Sequence, residues 1–212
     1  MTEASDWASE TEQKVLDEAL RLVPSRGWSC DTVVAAAAAA GLSAAEAELL
    51  LPHGARDLAA LLSRRHDAKA MAALSLQDAS TLKIRERIRA GVVARLDAAR
   101  ADEAAVRRWA GFLSLPLNLP LALRLVWESA DHIWRWAGDT ATDENHYSKR
   151  AILSGILITC LAIDMASGRE AALAHLDRSI DNVMAFEKWK AGLKPSELAR
   201  DVAGALGRMR YR

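Results

Sequence analysis

Residues 11–62 read TEQKVLDEALRLVPSRGWSCDTVVAAAAAAGLSAAEAELLLPHGARDLAALL, and this stretch decides the fold class. Val15, Leu16, Ala19, Leu20 and Val23 recur at the spacing of one helical stripe, and Pro24-Ser25-Arg26-Gly27 supplies the stop. Asp31 is placed to cap a second, short helix through the alanines Ala35 to Ala40, which halts at Gly41. Ser43, with Glu46 three residues on, forms a capping box that opens a third helix to Leu51, closed by Pro52-His53-Gly54. Strict alternation of apolar and polar residues, the mark of a half-buried strand, is missing here.

The same helical period continues outward. It predicts helices over 7–23, 56–76, 82–99, 103–114, 117–137, 144–167 and 170–191, and a last one after Pro195, which suits a first helical turn. The chain is therefore predicted to be all-α. Its 212 residues, 51% apolar and 26% charged, have the composition of a globular protein rather than a disordered tail. Lys and Arg together balance Asp and Glu, 28 against 28, but unevenly. Residues 1–60 hold 4 basic and 10 acidic side chains, 61–110 hold 11 and 6, and 111–212 hold 13 and 12. The neutral total conceals an acidic front end.

Cys30 and Cys160 stand far apart in sequence with no second cysteine beside either, which predicts two reduced core thiols rather than a disulfide or a metal knot. The N-terminus is acidic and lacks the apolar run of a secretory signal. The most apolar stretch, 151–163, falls short of the roughly 20 residues needed to cross a bilayer, so any membrane contact is expected to be peripheral.

The order of features in 11–62, namely Val15-Leu16 and Ala19-Leu20, Arg26-Gly27-Trp28, Thr32-Val33 and the alanine helix, Gly41-Leu42-Ser43, then Arg56-Asp57-Leu58, resembles the helix-turn-helix head of TetR-type regulators. The resemblance implies a three-helix head, residues 1–62, packed on a larger helical body. DNA binding does not follow from it. The helix that would meet the duplex, Ser43 to Leu51, carries Glu46 and Glu48 and no Lys or Arg, whereas DNA affinity draws on cations that neutralise phosphates. No nucleic-acid partner is expected.

Seven of the eleven aromatic residues are Trp, and four of these fall between Trp109 and Trp136. The run 109–127 is apolar nearly all round, which marks either a buried helix pair or the lining of an apolar cavity; periodicity does not separate the two. Phe112, Leu113, Leu115, Leu121, Leu125, Trp127, Ile152 and Ile156 are the candidate lining residues.

The next stretch, Asp131-His132-Ile133-Trp134-Arg135-Trp136-Ala137-Gly138-Asp139-Thr140-Ala141-Thr142-Asp143-Glu144-Asn145-His146-Tyr147-Ser148-Lys149-Arg150, resembles the signature of the coenzyme Q biosynthesis protein nine family: an Ala-Gly-Asp turn, Thr-Asp, an aromatic pair and two basic residues that begin a long helix. Leu176 to Met184 resembles the family's later helix, so the likeness covers 11–191. It implies a TetR-like homodimer without a DNA role, binding an isoprenoid quinone or related lipid in an apolar pocket. It also implies partnership with the di-iron demethoxyubiquinone hydroxylase through Asp131, Ile133, Trp134, Asp143, His146, Tyr147 and Arg150. His146 stands where mitochondrial members carry Trp. Read from the residues alone, Asp143 is also a helix cap, and Tyr147 and Arg150, three apart, share a helical face.

The chain itself does not assemble the hydroxylase's metal site. Di-iron bundles need Glu-x-x-His on two helices plus a lone Glu from two more, and only Asp143-x-x-His146 and Glu128-x-x-x-His132 approach that pattern. His53, His66 and His175 read as solvated or capping. No nucleophile elbow, phosphate loop or dinucleotide fingerprint is present, so neither a cofactor nor catalysis is expected.

After a linker at 192–194, Leu198, Val202, Leu206 and Met209 form one stripe, accompanied by Arg208 and Arg210. Such a helix suits the headgroup plane of an anionic membrane, and the family resemblance implies that placement. The expected organisation is a head (1–62), a lipid-binding body (63–191) and a linker with an amphipathic helix (192–212), at the cytoplasmic, inner face of the cell membrane. The competing reading is a TetR-like transcriptional regulator that senses an apolar ligand.

Overall fold

The computed structural model describes residues 2–140 and 144–192, with side chains described over 7–140 and 146–185. Among these residues the regular structure is helical throughout: α1 (Thr2–Arg26), α2 (Cys30–Ala39), α3 (Ala44–Leu50), α4 (Ala55–Leu74), α5 (Ile84–Arg100), α6 (Glu103–Leu113), α7 (Leu119–Trp136), α8 (Glu144–Ser167) and α9 (Arg169–Gly192). Short 3-10 turns at Ala79–Thr81 and Pro116–Asn118 precede α5 and α7. The stretch after Pro195 lies outside the described residues, and so do Asp143 and the stripe Leu198, Val202, Leu206, Met209 with Arg208 and Arg210.

The stop signals of the head act as the sequence predicts, with one shift. Gly27, at φ 73, and Gly41, at φ 86, take the left-handed conformation in which a side chain is strained, and each ends a helix. The capping box is complete: Ser43 Oγ accepts from the Glu46 amide at 3.3 Å and the Ser43 amide donates to Glu46 Oε2 at 2.8 Å. The second helix is capped by Ser29 rather than Asp31. Ser29 has extended backbone and its Oγ accepts from the Thr32 amide at 3.2 Å, which leaves Asp31 inside the first turn, where its charge faces the positive helix end.

Two apolar clusters hold the molecule. The first joins Val15, Leu16 and Val23 of α1 to Leu58 and Leu62 of α4 and reaches Val106 and Leu113 of α6. Trp28 donates to the Ala105 carbonyl at 3.3 Å and Trp109 to the Ala59 carbonyl at 2.9 Å, so α6 is bonded to the N-terminal helices through a buried and a half-buried indole. Arg65 ties α4 to α1 through the side chain and carbonyl of Gln13 and the carboxylate of Asp17. The second cluster packs Val92 and Leu96 of α5, Ile133 of α7, Leu153 and Leu157 of α8 and Leu176 of α9. Gly91 lies under Ile133 so closely that a Cβ there would overlap the isoleucine side chain.

Three sequence expectations need correction. Cys30 is exposed, since α2 turns its apolar face on α1 from Thr32, Val33, Ala36 and Ala37, whereas Cys160 is buried and burial pushes its thiol up to about 11. His66 is not solvated: α4 is covered on that side by α5 and the α5–α6 turn, and the imidazole is buried. Residues 146–167 of α8 are, by length and composition, apolar enough to cross a membrane. The shorter apolar core counted in sequence missed this because Lys149, Arg150 and Asp164 bracket it. In the fold one side of that helix packs into the second cluster through Leu153, Ile156, Leu157 and Cys160, and Arg150 is ion-paired.

Candidate functional site: an apolar cavity with a charged floor

Helices α4 to α8 line an open cavity of about 380 Å³. Its walls are Trp109 and Leu113 of α6, Leu119, Leu123 and Val126 of α7, and Leu157, Leu161 and Met165 of α8. The volume lies within the usual range for small-molecule sites, and the walls have the apolar character of such sites. Leu119, Leu123 and Ile158 line the cavity and are each about half exposed, so its mouth is rimmed by apolar side chains.

Of the candidate lining residues, the structure brings only Leu113 to this cavity. Leu125 is buried in the first core cluster with Phe112 and Leu121 against it, Leu115 is exposed on the α6–α7 turn, and Trp127 lies 6.2 Å from Tyr147. Ile152 and Ile156 line a second groove of about 440 Å³ shared with Ile84, Arg87, Trp134 and Val183. The physical reason is helix phase. On α7 the residues facing the cavity are Leu119, Ala122, Leu123, Val126 and Ser129, at helical spacing, while Leu121 is roughly 200° around the axis from Leu119. The stripe with a polar residue at its end, Ser129, was the available signal.

The cavity floor is polar. Ser63 of α4, Arg95 of α5 and Ser129 of α7 all line it, and all converge on an ion pair behind it. Arg95 Nε donates to Asp67 Oδ1 at 2.6 Å, Ser129 Oγ donates to the same oxygen at 2.7 Å, and Arg95 Nη2 reaches Ser63 Oγ at 3.4 Å. Arg95 is 7% exposed and Asp67 3%. Two opposite charges taken from water together, with hydrogen bonds added, avoid most of the cost of burying either alone. Next to Asp67, His66 Nε2 lies 2.9 Å from Asp102 Oδ2, with Lys69 at 3.9 Å from the same oxygen. Burial, with the Arg95 charge next, drives the His66 imidazole down to about 4, so it is neutral near pH 7.

The second set of candidate residues divides between surface and interior. Tyr147, 65% exposed, stacks edge-on with His146 at 5.2 Å and with Trp127 forms an aromatic surface. Arg150, by contrast, is 2% exposed, with its guanidinium turned into the interior. Its Nε donates to Asp131 at 2.6 Å, and its Nη1 donates to Asp139 at 3.0 Å and to the His146 carbonyl at 3.1 Å. Ile133 is likewise buried, in the second core cluster. Trp134 Nε1 donates to the Lys149 carbonyl at 3.1 Å, and Lys149 lies over its ring at 5.3 Å. Helix spacing places Tyr147 and Arg150 on one side of α8. The carboxylates of Asp131 on α7 and Asp139 just after it draw only the arginine inward. Arg150 therefore fixes the start of α8 to the end of α7 and positions the aromatic surface from within.

These features fall in one stretch of sequence: α7 and α8 supply two cavity walls, the Arg150 knot and the Tyr147 surface. Residues 119–187, spanning α7 to most of α9, match the family model COQ9. The chain carries a COQ9-family domain. Over 170 residues, 73% of the chain, it is 31% identical to the ubiquinone biosynthesis protein COQ9-B, mitochondrial, of Xenopus laevis, of which the match covers 55%. The COQ9 protein of Rattus norvegicus is 30% identical over 197 residues, 86% of the chain and 62% of that protein. The human one is 31% identical over 169 residues, 74% and 52% respectively. The chain thus spans a little over half the length of these curated COQ9 relatives.

Proposed function

We propose that the chain is a non-catalytic, lipid-binding accessory protein of ubiquinone biosynthesis. An isoprenoid quinone intermediate enters the α4–α8 cavity, and the surface around Tyr147 engages the demethoxyubiquinone hydroxylase. The observation that carries this reading is an apolar, ligand-sized cavity with an apolar rim, two of whose walls, α7 and α8, belong to the segment that matches the COQ9 family model. A prenyl tail loses its unfavourable hydration on entering such walls, at about 25 cal/mol per Å² of apolar surface removed from water. A tail longer than the cavity runs out past Leu119, Leu123 and Ile158, which are exposed already. The amphipathic stretch after Pro195 serves as the membrane contact on the cytoplasmic face, and the chain works as a homodimer.

The head takes no part in reading DNA. α3 rests on the first cluster through Ala47 and Leu50 and directs Glu46 and Glu48 to solvent, and Ser43 holds the Glu46 carboxyl below its ordinary range, so it stays charged. That face repels phosphate. The test is genetic. Cells lacking the chain should accumulate the hydroxylase's substrate, restored by the native chain and not by a folded Ala122→Trp variant, whose indole fills the cavity. Normal ubiquinone in the deletion, or full rescue by Ala122→Trp, overturns the proposal.

A further inference from the structure

The turn between α6 and α7 presents apolar side chains to water. The chain bends by 96° there, and Leu115, Leu117 and Leu119 are 52%, 81% and 49% exposed, with Pro116 and Pro120 exposed beside them. Their outward direction is built in. Asn118, the one buried residue from Ser114 to Pro120, donates from Nδ2 to the Phe112 carbonyl at 2.9 Å and accepts from Arg56 Nε at 2.9 Å. Arg56 Nη2 also donates to the Leu117 carbonyl at 3.1 Å. The turn is thus clamped from inside by polar bonds, and its leucines stay hydrated at a cost that only an apolar cover removes.

Charge narrows what that cover is. Residues 104–127 hold Arg107, Arg108 and Arg124 and no Asp or Glu. Arg107 is paired with Glu103 at 2.9 Å, and Glu128, which Arg124 meets at 3.7 Å, is shared with Arg64 at 3.4 Å. Arg56 and Arg108 form no ion pair with the described residues. An apolar tip with surplus cations behind it matches the boundary of an anionic bilayer, where leucines enter the acyl region and arginines meet the headgroups. A protein partner fits less well, because one turn offers far less than the roughly 800 Å² a side of a stable protein interface. We propose that the α6–α7 turn is a membrane-docking site, with Leu115, Leu117 and Leu119 inserted and Arg56, Arg108 and Arg124 at headgroup level. It is separate from the contact assigned to the stretch after Pro195. Leu119 also lines the α4–α8 cavity, as does Leu123 one turn further along α7, so docking lays the cavity mouth on the bilayer. A prenyl tail then passes between the two without crossing water, a consequence that rests on the lipid-binding reading above.

Flotation of the intact chain with vesicles of phosphatidylcholine and phosphatidylglycerol tests this. The variant L115S/L117S, altered at two exposed positions outside the cavity wall, should bind them about tenfold or more weakly, because each leucine lost removes apolar burial in the bilayer. R108Q/R124Q should weaken binding to the same vesicles and leave binding to pure phosphatidylcholine unchanged. Both variants should keep the native melting temperature and the native affinity for farnesol, read by quenching of tryptophan fluorescence, since Trp109 lines the cavity. A native chain that does not float, or L115S/L117S that floats as well as the native chain, overturns the docking site. So does a native dimer that L115S/L117S dissociates in sedimentation, which assigns the turn to a second copy. Flotation that depends on the turn in a chain that takes up no farnesol overturns the cavity reading and leaves the docking site standing.

Discussion

The buried imidazole of His66 gives the molecule an acid sensitivity that a solvated histidine would not. An ordinary histidine titrates near 6.5, whereas burial, with the Arg95 charge next, holds His66 at about 4 in the folded chain. Between those values the unfolded chain binds one proton more than the folded one. Stability is complete above the unfolded value and falls as the pH drops toward the folded one. The slope approaches about 1.4 kcal/mol per pH unit in that window, and the loss between about pH 7 and pH 4.5 is on the order of 2 kcal/mol. Urea unfolding followed by tryptophan fluorescence, at intervals across this range, measures it. The variant His66→Gln supplies the reference, because glutamine can still donate to Asp102 but has no proton to gain. The stability of the native chain relative to the variant should fall on acidification, while carboxylate titrations common to both cancel. A difference that stays constant across the window, or one that grows in favour of the native chain, would refute the placement of a neutral His66 in the interior.

Arg150→Met should cost about 2–3 kcal/mol in urea unfolding, because Asp139 and Asp131 lose the cation they share and keep only Lys149 and Arg135 respectively; a cost below about 1 kcal/mol would contradict the knot. Gly91→Ala ought to gain about 1 kcal/mol from helix propensity but to lose more through its overlap with Ile133, so a net drop in melting temperature is expected, and a rise would show that α5 and α7 can move apart freely. Tyr147→Ala leaves stability within about 0.5 kcal/mol, since the ring is mostly in water, and weakens capture of the hydroxylase tenfold or more. Unchanged capture removes Tyr147 from the proposed partner surface.

What the sequence disclosed and what it concealed follow from the range of the forces involved. Helices were legible because their signals are local: the stripe from Val15 to Val23, the Ser43–Glu46 box and Gly27 each act within a few residues. Ser29 against Asp31 was a contest between two good caps two residues apart, settled by the backbone leaving Gly27. The cavity face of α7 was concealed because its apolar residues surround nearly the whole helix, and only packing against α6 and α8 decides that Val126 looks into space while Leu125 looks into core. Arg150 shows the same limit for charge. Its spacing from Tyr147 was plain, but Asp131 and Asp139 are partners from other elements, and the pair Asp67–Arg95 joins α4 to α5 across 28 positions. The acidic face of α3, by contrast, needed no partner to be read.

The proposed carrier role stands or falls with a prenyl lipid in the cavity. Native mass spectrometry of the intact chain, purified without detergent from cells that make ubiquinone, measures this directly. The expected spectrum shows the native chain with a bound mass that organic extraction identifies as a prenyl lipid, and the folded Ala122→Trp variant without it. A native chain that carries no lipid, or one whose bound mass survives Ala122→Trp, contradicts the central claim.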